Sequence, residues 1–432
     1  MSTQAWRRTA RIMRRAAFGV TGADVDRVGA DVEKWVADAL NPGADPGVDA
    51  TPPPTFAAIP AVGANDTREE RQARNTAVND QGDQLTQWWL TRMVVAHRPV
   101  RERLTFAWHN HWATSLSKVR QASLMLKQNE LLRSQGLGSF TTLAQQLVVD
   151  PALMIWLDAE KNTKAAPNEN LARELMELFC LGVGGGYTED DVKQSARALT
   201  GWRVAADGTV SHDAQRTDPG PETVLGVTDH FTPQTLVGAI LAAHSHPRYL
   251  ATRWWHQLAS GDAPSDDVLT RLVAAYGSGR DSTALISAIL LDPAFDAAAG
   301  TLAASPVEWL VGAMRTLAIP ATAANVQQGR AVLRMLGQVP FYPPNVSGWP
   351  SGASWSSTAA ATTRAAAAAK LASLADLSEV SSATGNSRID AVAHLLALDH
   401  FSPRTLDALA LAKGKPVQLV ATALISPDYL VV

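Results

Sequence analysis

The chain has 432 residues, 46% of them hydrophobic, with 38 lysines and arginines against 41 aspartates and glutamates and a net charge of -3. That is enough apolar material for one large core or two ordinary ones, and so low a basic content excludes a protein that lives on phosphate backbones, so no nucleic-acid partner is expected. A single cysteine, Cys180, excludes an intramolecular disulfide framework, and no run approaches the roughly 18 consecutive apolar residues of a membrane span.

Helical rather than alternating periodicity dominates from end to end. The first segment, "MSTQAWRRTARIMRRAAFG", predicts a helix over 5–17. Its arginines Arg7, Arg8, Arg11, Arg14 and Arg15 share one face, expected to be solvated, with docking to an acidic partner as the alternative. No apolar stretch follows either arginine pair, so no export signal is read. The expected location is the cytoplasm, or the periplasm or exterior for a chain lacking its leader.

A helix over 23–40 comes next, then a proline- and glycine-dense loop over 41–65 inside a loop-rich stretch, 41–80. Further helices are predicted over 82–96, 99–114, 121–134, 138–148, 151–158, 168–181 and 189–199. Residues 204–232 form a second loop-rich segment with short strands at 208–211 and 223–227. Helices then follow at 233–242, 247–260, 265–277, 281–291, 306–317 and 323–336. A third loop, 337–356, is rich in aromatic residues, and four more helices complete the chain at 357–373, 388–396, 402–411 and 415–425. The corner in "LVVDPALMIW", "ILLDPAFDAA", "ALISPDYLVV" and, more weakly, "LAAHSHPRYL" joins helices by one device. Asp or Ser accepts from orphan amides while proline takes the first helical position, where an N–H is not needed. The expected fold is mainly α, a single globular multi-helix domain over 1–432 with long Pro/Gly-rich loops and at most a short β-hairpin.

Chemistry concentrates in "PNENLARELMELFCLGVGGGYTEDD" (167–191). At about 100° per residue, Glu169, Arg173 and Glu177 form one ladder with Asn170 and Glu174 beside it. Such an arc is either a wet face with Glu–Arg pairs of about 0.2–0.5 kcal/mol each, or the wall of a site. The glycine run is no phosphate loop, since no Lys-Ser/Thr follows and no strand precedes. Thr188 and Asp191 instead read as a capping box. In "LTFAWHNHWATS", His109 and His111 lie about 200° apart on a helix and cannot hold one ion together. His111 faces inward, as a hydrogen-bonded core group or as a ligand. The loop "GQVPFYPPNVSGWPSGASW" carries Phe341, Tyr342, Asn345, Trp349 and Trp355. It is either a functional lid or an aromatic-pinned cover.

These segments together resemble a large bacterial family catalogued as a domain of unknown function, number eighteen hundred. The resemblance runs from "RIMRRAAFGVTGADVDRV" to "GQVPFYPPNVSGWPSGASW" and covers nearly the whole chain. It implies that Asn168, Glu169, Asn170, Arg173, Glu174 and Glu177 belong to a family signature. Trp108, His109, Asn110, His111, Arg197, Thr200, Gly201, Trp202, Asn345, Gly348 and Trp349 belong with them. It also implies a partner, an alkaline-phosphatase- or sulfatase-like protein encoded nearby. Relatives often carry export segments, and Cys180 stands where threonine is usual, which argues against catalysis there.

Two functions are therefore expected in competition. One is a hydrolase-like or metal-dependent enzyme with a carboxylate/His/Arg cleft between helices 99–114 and 168–181. Glu174 and Glu177 would be its acid/base pair or oxygen ligands for a divalent metal, His111 a further ligand or proton shuttle, and Arg173 an anion clamp. Asn110, Glu169, Asn170, Arg197, Trp202, Asn345 and Trp349 would line the substrate. The other is a non-catalytic binding or assembly protein for a glycan or protein partner, its polar cluster a buried structural network.

Overall fold

In the computed structural model, which describes residues 3–41, 43–59, 63, 65–297, 300 and 302–431, about half of the helices start where a side chain offers an acceptor to the first amides. Thr21 with Asp24, Thr67 with Glu70, Thr188 with Asp191 and Ser305 with Glu308 are reciprocal capping boxes. Asp150 caps Pro151–Trp156 through Leu153 N at 2.9 Å, and Ser426 caps Pro427–Leu430. The helix-corner device thus operates as expected at these two copies. At "LAAHSHPRYL" it does not: the Ser245–Leu258 helix begins ahead of the proline, and His244 makes no capping bond.

Helix positions otherwise follow the sequence pattern, with three corrections. The stretch expected as one helix over 23–40 is two, Gly22–Val28 and Val32–Leu40, parted at Gly29 with φ 60°. Only part of 41–80 is loop: a short helix spans Pro46–Asp49, and a 28-residue helix, Arg68–Val95, starts well inside it. The first half of that long helix is mostly exposed, with Val78 its one buried residue, so it shows no apolar stripe to read. Positions 42, 60–62 and 64 of the expected loop lie outside the described residues. Two hairpins form rather than at most one, Trp202–Val204 with Val210–His212 and Glu222–Val224 with Val227–Asp229. Leu225 and Gly226 make the second turn, inside the segment expected to be a strand, and both have positive φ.

The Pro99–His111 helix organises the interior because three of its faces are engaged differently. Leu104, Ala107 and Trp108 belong to one apolar core, with Trp112, Phe140, Met176 and Phe179. Phe106 belongs to a second, with Trp89, Trp309, Phe341 and Trp349. Arg103 and Asn110 share a third face, seven residues apart and so nearly superimposed along the axis. Among the described residues no helix is long and apolar enough to cross a membrane.

Candidate functional site

The signature helix opens through a chain of asparagines. Asn162, almost fully buried, gives its Nδ2 to Ala196 O at 2.7 Å and accepts Asn168 N at 2.9 Å. Asn168 in turn accepts the backbone N–H of Asn170 at 2.9 Å. The helix then changes pitch, with α-helix over Asn170–Glu174 and π-helix over Leu175–Cys180. Its polar arc is half-wet, not interior. Arg173 keeps 30% of its side-chain surface and sits among three carboxylates: Glu169 at 2.9 Å, Glu177 at 3.3 Å and Glu189 at 2.7 and 2.9 Å. Its pKa is raised, first by the bonds to Glu189. The expected anion clamp is therefore already occupied by carboxylates. Glu174 is half-buried and its side chain has no hydrogen bond among the described residues; burial, and then the charge of Glu177, push its pKa up.

His111 is where the two signature helices meet, and the contact is structural. Its Nε2 donates to the carbonyl of Phe179 at 3.0 Å, and its ring lies edge-on to Trp108. Burial, with the charge of Arg253 second, lowers its pKa to about 3. No hydrogen bond joins it to Glu174 among the described residues. His109 faces the other core, where its Nε2 accepts Phe341 N at 3.1 Å, and burial lowers its pKa to about 3 as well. That bond holds a strained residue: Phe341 has φ 70°, and its carbonyl accepts Leu116 N at 2.9 Å. Both imidazoles are neutral at ordinary pH, and the nitrogen of each that forms a hydrogen bond is bound to backbone.

The aromatic loop folds back, but over the His109 and Asn110 side of the helix and not over His111. Asn110 Oδ1 accepts Trp349 N at 2.7 Å. Gly348, at φ 83°, lies so close to Asn110 that any side chain there would collide with it. Trp349 is 4% exposed, stacked on Phe106 with centroids 5.5 Å apart and edge-on to His109. Asn345 stays exposed and makes a local turn to Ser347 N at 2.9 Å.

On the Arg103 and Asn110 face lies an open polar cleft, about 470 Å³ with the open solvent at its mouth included, that the sequence did not point to. Arg15, Arg103, Asn110, His256, Glu308 and Trp355 line it. A second opening of about 500 Å³ shares Arg15, Arg103 and Glu308 and adds Arg14. The arginines are there for a legible reason. Arg11 donates to Ala259 O at 3.2 Å, Arg15 to Leu258 O at 2.9 Å and to Gln257 O at 2.8 Å, and Arg103 to Gln257 O at 3.4 Å. These are the orphan carbonyls at the C-terminus of Ser245–Leu258, where cations are favoured. The solvated face expected for the first helix is thus overturned. Arg15 is buried, Arg14 donates to Tyr429 O at 3.2 Å, Arg8 pairs with Asp296, and only Arg7 is exposed.

Arg197 and Trp202 serve the hairpins. Arg197 forms a two-pronged pair with Asp218 at 2.9 Å on each prong, and Asp218, held by Arg197 first, has its pKa lowered to about 2. Trp202 packs on His212, its partner in strand register, with ring centroids 5.0 Å apart. Among the described residues no group of three or more His, Cys, Asp or Glu side chains is arranged to hold a metal ion. Glu174, Glu177 and His111 accordingly form no such set. Cys180 is fully buried and its thiol pKa is raised by that burial, in keeping with a packing role.

A family model described as "Protein of unknown function (DUF1800)" matches residues 11–431, and the chain belongs to that family. No curated protein and no solved structure matches it.

Proposed function

We propose that the protein acts by binding rather than by catalysis, with its ligand held in the cleft lined by Arg15, Arg103, Asn110, His256, Glu308 and Trp355. The carrying observation is how the polar groups of Pro99–His111 are engaged. Glu102, His109 and His111 are buried and bonded to other parts of the fold. The face with Arg103 and Asn110 opens on the cleft with an apolar and aromatic wall, whereas Arg101 and Glu102 reach a second opening lined mainly by charged side chains. A buried network that holds the frame and a concave, partly aromatic opening with a few convergent polar groups is the usual composition of a ligand site. The family resemblance adds an alkaline-phosphatase- or sulfatase-like neighbour as a candidate partner, which co-purification would test.

The test is a thermal-shift screen of small acids, sugars and neutral aromatics against wild type, Trp355→Ala and Glu174→Gln. Stabilising compounds should lose their effect in Trp355→Ala, keep it in Glu174→Gln, and be recovered unchanged. Hits that depend on Glu174 and are turned over contradict the proposal.

One observation favours the enzyme reading instead. Glu174 is an unpartnered carboxylate of raised pKa beside Glu177, and the helix turns to π geometry directly after it. Single π turns and perturbed carboxylates both gather at functional sites. Loss of a catalysed reaction in Glu174→Gln, with the melting temperature unchanged, would favour that reading.

A further inference from the structure

Resting on the binding reading, we infer that the cleft takes a small organic oxyanion, with its charged group between Arg15 and Arg103 and its apolar body against Phe106, Leu302 and Trp355. The lining of the two openings contains three guanidiniums, from Arg14, Arg15 and Arg103, against the single carboxylate of Glu308. Arg15 is 5% exposed and Arg103 is 2% exposed. Buried cations without anions are costly, and the helix end that Arg15 and Arg103 cap supplies only about half a negative charge.

Each guanidinium is fixed by part of its donor set and keeps the rest. Arg15 uses Nε and Nη2 on carbonyls and leaves Nη1. Arg103 uses Nη2 on Gln257 O and on Glu308, and leaves Nε and Nη1. None of the three remaining nitrogens is among the buried groups sealed away without a partner, and both arginines line the cleft. Preset, planar donors of this kind suit a carboxylate, phosphate or sulfate oxygen pair. Glu308 competes for the same arginine, but it is also tied to its own helix by accepting Ser305 N at 2.7 Å. The rest of the wall completes a site for an organic anion rather than a bare ion. His256 commits Nδ1 to Ser260 O at 2.9 Å and lines the cleft, while Phe106, Leu302, Pro350 and Trp355 give an apolar surface.

Calorimetric titration of the full chain with phenyl phosphate, phenyl sulfate, benzoate and neutral benzyl alcohol tests this. At least one anion should bind saturably and benzyl alcohol should not; the preferred anion identifies the headgroup. Arg103→Lys keeps the charge but loses the fork, and should weaken that binding by about tenfold or more. Glu308→Gln can keep the cap and removes the competitor, so it should tighten binding several-fold. That gain keeps the test decisive if Arg103→Lys folds poorly. Absence of saturable anion binding to folded wild type, or weaker binding in Glu308→Gln, overturns the inference. Benzyl alcohol binding as well as the anions, in a manner lost in Trp355→Ala, overturns the oxyanion while leaving the binding reading intact. Multiple turnover of phenyl phosphate or phenyl sulfate would instead overturn the binding reading.

Discussion

Glu102 and Arg103 are neighbours on one helix, and each anchors a cluster of buried charge, yet the two clusters are built to opposite ends. Around Glu102 both carboxylate oxygens are satisfied, although the cluster also borders an opening shared with Arg98, Arg101 and Glu130. One carboxylate oxygen accepts Arg92 Nε at 2.8 Å and Arg133 Nε at 2.9 Å; the other accepts Trp89 Nε1 at 2.9 Å and Arg133 Nη2 at 3.0 Å. Burial alone would raise the pKa of Glu102, but Arg133 and then Arg92 outweigh it and hold it at about 2. Around Arg103 guanidiniums outnumber carboxylates, and Arg15 and Arg103 keep donors that no hydrogen bond uses while lining an open cleft. A satisfied buried pair specifies a fold; an unsatisfied one leaves affinity for something else.

The contrast can be broken most forcefully on the Glu102 side. Arg133→Ala takes two of the four hydrogen bonds and one of the two cations from a carboxylate that is 1% exposed, and should cost about 3 kcal/mol in a denaturant melt. A loss under about 1 kcal/mol would show that the cluster is not the frame it is taken to be.

Acid should sharpen it next. His109 and His111 have pKa values lowered to about 3 and His246 to about 4, each first by burial. A depressed histidine contributes stability that is whole above its unfolded value near 6.5 and is lost as pH falls below it. Each should steepen the loss toward a limit of about 1.4 kcal/mol per pH unit. Glu102 joins only below about pH 4.3, the unfolded value, as pH falls toward its folded value. Stability measured from pH 8 to pH 4 should therefore begin to fall near 6.5, and in His111→Gln the slope should be shallower. A flat profile down to about pH 5 would contradict the buried, neutral imidazoles.

The smallest effect belongs to Arg173. Three carboxylates surround it, but its side chain is 30% exposed, so Arg173→Ala should cost under about 1 kcal/mol. A cost near that of Arg133→Ala would place the signature helix among the frame-holding clusters.

What the sequence made legible follows from the same physics. Thr188 with Asp191 and Asp150 with Pro151 are local devices, needing only a few consecutive residues, and they appear where the spacing puts them. His111 was readable as an inward group because Leu104, Ala107 and Trp108 share its stripe. The first half of Arg68–Val95 was not readable by periodicity, since a wet helix has no stripe, although the Thr67 and Glu70 pair was a start signal in plain view. The Arg15, Arg103 and Glu308 cleft was beyond reach for a different reason. It joins residues roughly ninety to three hundred positions apart, and an arginine that caps another helix's carbonyls looks in sequence like one on a wet face. The signature residues, meanwhile, divide between holding backbone, as His109, His111, Asn110 and Asn168 do, and lying half-exposed, as Glu174 and Glu177 do.

The most direct measurement is a crystal structure of the protein grown with phenyl phosphate. The phosphoryl group should lie between Arg15 and Arg103 and the ring against Trp355, with the Glu102 cluster unchanged. The compound seated instead on Arg173 and Glu174, or the cleft between Arg15 and Arg103 left without it, would contradict the division between a frame-holding side and a ligand-facing side of the Pro99–His111 helix.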